Sequence, residues 1–193
     1  MRITGGSARG RKLLSPKSEL IRPTCDRVRE ALFNIIGERL LGARVLDCFA
    51  GTGAIGIEAL SRGAEFVLFV DQSLEAGRLI EANLRATIPQ PRAAFARLNL
   101  ATTATLQSLR GHLPPTARFD IILMDPPYRQ DLVPRLLQLI DAEQLLEPGG
   151  LVVVEEHFQV ELPETIGSLH RFDHRRYGET GLWFFQRITP PQP

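Results

Sequence analysis

A glycine-rich turn between a short apolar strand and a helix is the feature that most constrains the fold of this chain. Val45 and Leu46 are typical strand residues, and the apolar spacing of a helix resumes at Ala54. Between them, Gly51 and Gly53 can adopt positive φ or lie bare against a ligand. The pattern predicts a strand, a tight turn and a helix whose N-terminus can bind the polar end of a ligand.

The spacing of this turn fits two classes of adenosine cofactor. Gly51-x-Gly53-x-x-Gly56, with Asp71 after the next apolar run, matches the dinucleotide pattern of NAD-binding proteins. Asp47, however, precedes the first glycine, where a carboxylate would repel a pyrophosphate but would suit a cationic amino group. S-adenosylmethionine carries an amino group and a sulfonium and no phosphate. We therefore favour S-adenosylmethionine over NAD.

Size and composition fit one globular domain of ordinary make-up. The chain has 193 residues, of which 44% are hydrophobic and 23% charged. It has no apolar run near eighteen residues and no charged-then-apolar leader, which favours a cytoplasmic protein without a membrane partner. The two cysteines are far apart and the four histidines lack ligand spacing, so we expect no disulfide and no metal site.

Positive charge is concentrated at the amino-terminal end. Residues 1–30 hold eight Arg or Lys and three Asp or Glu, a net charge of +5, whereas the remaining chain carries −4. Glycines among the basic residues favour an extended, adaptable segment that can wrap a polyanion such as RNA. We predict a basic arm over 1–20, a single domain over 21–188 and a disordered tail over 189–193.

The rest of the chain alternates strands and helices, which predicts an α/β fold with a mostly parallel sheet covered on both faces. A helix starts near Pro23 and ends by Gly37–Gly42. Strands are predicted near 44–48, 66–70, 94–98, 119–124 and 151–156, with helices near 54–62, 73–86, 101–110 and 131–142 and a closing hairpin near 167–173 and 181–187. Pro148-Gly149-Gly150 is predicted as a sharp turn before the fifth strand. Right-handed crossovers would bring Asp47, Asp71, Asn99 and Asp125 to one carboxyl edge of the sheet.

The second diagnostic stretch is Asp125-Pro126-Pro127-Tyr128, which directly follows an apolar strand. Two prolines stiffen the turn and remove two N–H donors. The turn thus presents a carboxylate, the Pro126 carbonyl and an aromatic ring. Two acceptors can hold the hydrogens of a nucleobase amine and orient its lone pair toward an electrophilic methyl group, while Tyr128 stacks on the base.

These motifs resemble those of class I S-adenosylmethionine-dependent amino-methyltransferases. The chain opens on Ile3-Thr4-Gly5-Gly6-Ser7-Ala8-Arg9-Gly10-Arg11-Lys12-Leu13, followed by Ile21-Arg22-Pro23-Thr24-Cys25-Asp26-Arg27 and Val28-Arg29-Glu30-Ala31-Leu32-Phe33-Asn34. With these blocks, nearly the whole chain resembles the bacterial RsmD family, which methylates guanine N2 in 16S ribosomal RNA. The resemblance implies a Rossmann-like class I methyltransferase fold with a seven-stranded sheet and a C-terminal β-hairpin.

The resemblance also implies roles for individual residues. Asp47, Gly51 and Gly53 would hold the methionine part of the cofactor, with Phe49 beside it, Asp71 on the ribose, Asn99 against adenine and Thr24 at the mouth of the site. Asn99 stands where many class I enzymes use Asp. Asp125, Pro126, Pro127 and Tyr128 would hold a flipped guanine, and Arg9, Arg11, Lys12, Arg22 and Arg27 would contact the RNA. A second basic cluster is a further candidate for phosphate contacts and comprises His170, Arg171, His174, Arg175 and Arg176.

The chemistry of the two motifs leaves other readings open. Asp-Pro-Pro-Tyr also serves adenine-N6 methylation and, in variant form, glutamine-N5 methylation of proteins. A non-catalytic RNA-binding assembly factor and an NAD-dependent dehydrogenase are further alternatives. The expectation is a monomer that acts on 16S rRNA, within the assembling or the assembled small subunit.

Overall fold

The computed structural model describes residues 1–15, 26–101, 109–111, 113–114, 116–128 and 132–188. The chain forms two compact units, Met1–Asn99 and Leu100–Pro193. Some predicted features lie outside the described residues: Thr24, Arg22, the tail over 189–193 and most of the helix predicted over 101–110. The domain limits at residues 20 and 188 stay predictions.

The first unit has a parallel sheet of three strands, in the order β3-β2-β1. Its elements in chain order are α1 (Asp26–Ile36), a 3-10 turn (Gly37–Leu40), β1 (Arg44–Cys48), α2 (Ala54–Ser61), β2 (Phe66–Asp71), α3 (Leu74–Thr87) and β3 (Ala93–Arg97). β2 is apolar except for its last residue, and β1 is apolar at Val45, Leu46 and Cys48, because both faces of these strands are covered. Val45, Leu46, Val67 and Phe69 are accordingly at 0% exposure.

Residues 1–15 fold back on themselves and pack on α2. Arg2 and Lys12 form an antiparallel bridge, and the N–H of Ile3 donates to the Arg11 carbonyl at 3.0 Å. The side chains of Ile3, Ala8 and Leu13 are buried. The apolar residues interspersed among the charges therefore anchor this part of the predicted arm, while Arg9, Arg11 and Lys12 stay exposed.

The second unit joins a parallel strand pair to an antiparallel meander, in the order β4-β5-β8-β7-β6. Its elements are β4 (Phe119–Met124), α4 (Leu132–Ala142), β5 (Leu146–His157), β6 (Thr165–Ile166), β7 (Leu169–Tyr177) and β8 (Thr180–Arg187). Its core comprises the buried faces of these strands and the apolar side of α4, including Ile122, Val152, Leu137 and Phe184 at 0% exposure. The predicted closing hairpin is β7 and β8.

Two details differ from the sequence prediction. The described residues contain eight strands where seven were predicted, because Thr165–Ile166 forms a two-residue edge strand that is too short to leave a pattern. The fifth strand begins at Leu146, ahead of the predicted turn. Pro148-Gly149-Gly150 instead lies inside β5 and interrupts its regular pairing with β4. Phe119 and Ile121 are two residues apart on β4, but their partners on β5, Leu146 and Leu151, are five residues apart.

Within the described ranges, no helix has both the length and the apolar character needed to cross a membrane.

Candidate active site

The glycine-rich turn of the first unit is built from left-handed backbone positions. Phe49, Gly51 and Gly53 have φ values of 62°, 52° and 76°. The Ala50 N–H donates to the Val70 carbonyl of β2 at 3.0 Å, and the Gly53 N–H donates back to Ala50 at 2.7 Å. A left-handed aromatic residue is uncommon and strained, so the surrounding bonds must impose this conformation on Phe49. The glycines predicted this turn, whereas nothing in the sequence marked Phe49 as left-handed.

Asp47 holds the first turn of α2 in place. Its side chain is only 1% exposed, and Oδ2 accepts a hydrogen bond from the Gly56 N–H at 2.9 Å. A Cβ atom on Gly56 would lie 2.3 Å from Cε1 of Phe69 and 2.8 Å from Asp47 Oδ2. The third glycine of the pattern therefore permits close contact between helix and strand. A carboxylate at the N-terminus of α2 also interacts favourably with the helix dipole.

Asp71 connects the glycine turn to the next helix. Its Oδ2 accepts from the Gly51 N–H at 2.9 Å, and its Oδ1 accepts from the Ser73 N–H at 2.8 Å. Ser73 in turn caps α3 by accepting from the N–H groups of Glu75 and Ala76. Because each carboxylate oxygen has two lone-pair sites, Asp71 retains capacity to accept from a ligand hydroxyl. Asn99 follows β3 and is exposed.

Asn83 of α3 also contacts the glycine turn, and no motif in the sequence marked it. It is fully buried, and its Nδ2 donates to the Thr52 carbonyl at 2.9 Å. The same side chain pairs with Leu14 of the amino-terminal segment: Nδ2 donates to the Leu14 carbonyl at 3.2 Å and Oδ1 accepts from the Leu14 N–H at 2.7 Å. The only sequence signal for this role of Asn83 was that a polar residue stands on the buried face of an amphipathic helix.

In the second unit, Asp125-Pro126-Pro127-Tyr128 directly follows β4, as predicted. Asp125 and Tyr128 are partly exposed, Pro126 is buried and Pro127 is exposed. The Tyr128 hydroxyl donates to Glu155 Oε1 at 3.0 Å and lies 3.1 Å from Thr180 Oγ1. Glu155 comes from the end of β5 and Thr180 from the start of β8, so the tyrosine is held at both strands. Neither partner was predicted.

These contacts fix the ring of Tyr128 and keep its hydroxyl protonated. Burial raises the pKa of Tyr128, and the negative charge of Glu155 raises it further. The ring also meets His157 edge to face, with centroids 6.2 Å apart. A neutral, oriented aromatic ring is suited to stacking on a flat ligand.

The basic cluster on β7 contains an aromatic stack as well as charges. His174 lies parallel to Trp183, with ring centroids 4.4 Å apart, and Arg176 lies over the ring of Phe158 at 3.5 Å. Burial lowers the pKa of His174, and the neighbouring Arg171 adds to this effect against the opposing influence of Asp173. At neutral pH, His174 is therefore an aromatic surface and not a cation.

The structure brings some of the predicted residues together. Asp47, Phe49, Gly51, Gly53 and Asp71 form one group in the first unit, at the carboxyl ends of β1 and β2. Asp125 to Tyr128 form a second group with Glu155 and Thr180 in the second unit. Arg27 is exposed on α1. Cys48 is buried, and burial raises the pKa of its thiol, so it is not a reactive cysteine.

Comparison with known proteins places this arrangement in a family. The family model described as conserved hypothetical protein 95 matches residues 1–186. The chain belongs to this family, the RsmD family. It is 40% identical over 187 residues to YlbH of Bacillus subtilis (strain 168), covering 97% of this chain and 99% of that protein. It is 35% identical over 189 residues to ribosomal RNA small subunit methyltransferase D of Escherichia coli (strain K12), covering 97% and 90%.

A solved structure extends this likeness to the fold. The Escherichia coli protein yhhF matches this RsmD-family chain with a TM-score of 0.83 and 30% identity, covering 98% of each chain. The predicted Rossmann-like class I methyltransferase fold is confirmed, with eight strands in the described part of the chain where seven were predicted. Among the described residues, no group of His, Cys, Asp and Glu is arranged to hold a metal ion.

Proposed function

We propose that this chain transfers a methyl group from S-adenosylmethionine to the exocyclic N2 of a guanine in small-subunit ribosomal RNA. The observation that carries the proposal is the presence of two motifs in one RsmD-family chain: the glycine turn held by Asp47 and Asp71, and the Asp125–Tyr128 turn held by Glu155 and Thr180. A relative that is 35% identical over nearly the whole chain is named as a small-subunit rRNA methyltransferase.

The chemistry of the first group fits S-adenosylmethionine. Gly51 and Gly53 expose bare backbone, and the two carboxylates offer acceptors for an amino group and ribose hydroxyls but would repel a pyrophosphate. We assign Asp47, Gly51, Gly53 and Asp71 to this cofactor, with Phe49, Asn99 and Thr24 as further proposed contacts. When bound, the cofactor supplies an electrophilic methyl group on a sulfonium.

The residues of the second group orient the accepting amine. The N2 lone pair of guanine is delocalised into the ring, so the amine is a weak nucleophile. Asp125 and the Pro126 carbonyl accept its two hydrogens, which concentrates electron density on nitrogen and fixes its direction. A bound cofactor would supply the methyl group and would keep the electron pair of the sulfur–methyl bond on sulfur. Asp125 or water then takes the proton that the methylated amine must lose. Tyr128, already fixed by its hydroxyl, stacks on the base.

The RNA must present a base outside its stack. A guanine in a helix cannot reach a turn such as Asp125–Tyr128, so the target is flipped out or lies in a loop. Exposed Arg9, Arg11 and Lys12 supply positive charge for phosphate contacts, and Arg22 and Arg27 are assigned the same role. We propose that the chain acts as a monomer, on the assembling or assembled small subunit.

The test is nucleoside mass spectrometry after incubation with isotope-labelled S-adenosylmethionine. Undermethylated small subunits and their extracted rRNA serve as parallel substrates. We expect labelled N2-methylguanosine with the wild-type chain and a loss of at least about a hundredfold with Asp125→Ala, because an orienting group is removed. We expect no change with Glu81→Ala, whose side chain is 63% exposed and pairs with Arg85.

Other outcomes separate the alternatives. Labelled N6-methyladenosine would keep the mechanism and overturn the choice of base. Label on protein would support glutamine methylation, and no label with either substrate would support a non-catalytic assembly factor. Wild-type transfer by Asp125→Ala would remove the proposed mechanism.

A further inference from the structure

The buried side-chain amide of Asn83 hydrogen-bonds to two segments of the chain. In the proposed function, one of these segments binds the cofactor and the other binds RNA. One is the glycine turn, reached through the Thr52 carbonyl, and the other is the basic amino-terminal segment, reached through both backbone groups of Leu14. These partners lie 31 and 69 residues from Asn83 in the sequence. All three residues belong to the first unit.

The hydrogen-bonding capacity of Asn83 is matched to this task. The two hydrogens of Nδ2 go to two different carbonyls, Thr52 and Leu14, while Oδ1 accepts from the Leu14 N–H. Aspartate would present acceptors to both carbonyls, and alanine would leave buried backbone groups unpaired. The side chain has 0% exposure, so water cannot replace the missing bonds without rearrangement.

The amino-terminal segment reaches Leu14 as one hydrogen-bonded piece. The Leu13 N–H donates to the Met1 carbonyl at 3.2 Å, and the Ser7 N–H donates to the Ser61 carbonyl at 2.7 Å. A second contact joins the segment to α3, where the Arg11 guanidinium donates to the Ala86 carbonyl at 3.1 Å. Hydrogen bonds therefore connect the segment that carries the exposed basic residues to Asn83 through Leu14, and Asn83 to Thr52.

We propose that Asn83 is a positioning residue that couples RNA binding by the amino-terminal segment to cofactor binding by the glycine turn. This inference rests on the proposed function. RNA contacts to Arg9, Arg11 and Lys12 stabilise the folded segment, which holds Leu14 against Asn83 and so favours the conformation of Thr52 that binds the cofactor. Because binding free energies are linked, the cofactor must strengthen RNA binding by the same factor.

Calorimetric titration with S-adenosylhomocysteine measures this factor directly. The dissociation constant is determined for the full chain alone and in the presence of saturating transcribed small-subunit rRNA. We expect rRNA to tighten S-adenosylhomocysteine binding about tenfold in the wild type, within the usual range of coupling between sites. The ratio of interest is the dissociation constant for S-adenosylhomocysteine without rRNA divided by that with rRNA. In Asn83→Asp we expect this ratio to fall to about one, even if the variant also changes the affinity for either ligand alone.

Thr87→Val is the matched control. Its hydroxyl donates to the Asn83 backbone carbonyl at 2.6 Å, so the variant disturbs the same buried part of α3 and leaves the Asn83 amide bonds in place. A merely structural role for Asn83 predicts equal loss of coupling in both variants, which would overturn the proposal. Retention of coupling in Thr87→Val and its loss in Asn83→Asp supports it.

A measurement on the wild type removes any dependence on how the variants fold. The Leu14 amide is held by Asn83 Oδ1, so its hydrogen exchange reports this contact. We expect saturating S-adenosylhomocysteine to slow exchange at Leu14 at least about fivefold, and unchanged exchange would overturn the coupling. If both ligands bind but the wild-type ratio is near one, only this inference fails. If S-adenosylhomocysteine does not bind, or if neither transcribed rRNA nor undermethylated small subunits bind, the proposed function fails with it.

Discussion

Replacement of Glu58 by alanine should destabilise the first unit strongly, because this carboxylate is the centre of a buried ionic network. Glu58 Oε2 accepts from Arg29 Nε at 2.8 Å and from the Thr4 N–H at 3.2 Å. Its Oε1 accepts from Arg62 Nη2 at 2.9 Å and from the Thr4 hydroxyl. The side chains of Glu58 and Arg29 both have 0% exposure.

The size of the loss follows from what remains after the substitution. Glu58→Ala leaves the buried guanidinium of Arg29 with Asp26, whose side chain is 50% exposed, and with the Arg2 carbonyl. Removal of one partner of a buried ion pair costs about 3–5 kcal/mol, chiefly because the other charge is left uncompensated. For a chain of this length, that loss lowers the melting temperature by about 6–20 °C.

Differential scanning calorimetry and urea unfolding measure the effect, and α3 supplies a matched control. Glu81 and Arg85 form an ion pair with the same i,i+4 spacing as Glu58 and Arg62, but their side chains are 63% and 77% exposed. We expect Glu81→Ala to cost only about 0.3–0.5 kcal/mol. If the two variants lost similar free energies of unfolding, the argument from burial would be refuted.

Two further predictions concern the two motifs. Gly56→Ala places a Cβ atom 2.3 Å from Phe69, so we expect urea unfolding to show a loss of about 1–3 kcal/mol in the free energy of unfolding. Gly111→Ala has open space around its Cβ and should leave this free energy unchanged. Equal effects of the two substitutions would contradict the close-contact argument. The pKa of Tyr128 is raised in the folded state. Its contribution to stability is therefore fully present below the unfolded-state pKa of about 10 and is lost as pH rises from there through the folded-state pKa. In ultraviolet difference titration of wild type against Tyr128→Phe, we expect no phenolate signal from Tyr128 at pH of about 10; half-ionisation there would contradict the burial and Glu155 effects.

The sequence predicted the elements with strong local signals. β1 and β4 lie where the apolar runs placed them, because a strand covered on both faces is mostly apolar. The glycine turn was predicted for a similar reason, since positive φ and close backbone contact leave few other residue types. Asp47 and Asp71 were identified as neighbours of this turn from their positions at strand ends.

The residues that sequence reasoning missed act through tertiary contacts. Asn83, Glu155 and Thr180 each lie 27 or more residues from their partners, and a single buried polar residue in an apolar pattern does not reveal which group it bonds. The packing of residues 1–15 escaped prediction for the same reason: composition showed charge and glycine, whereas the burial of Ile3 and Ala8 depends on α2.

The packing of residues 1–15 on α2 and α3 also fixes when this segment can fold during synthesis. Ala8 and Leu14 leave the ribosome 53 and 69 residues before their partners Ser61 and Asn83. Until α2 has emerged, Ala8 lacks its partner Ser61, and until α3 has emerged, Leu14 lacks its partner Asn83, so the first unit cannot complete its core. This segment, which is translated before α1 to α3, is therefore among the last parts of the unit to acquire its structure.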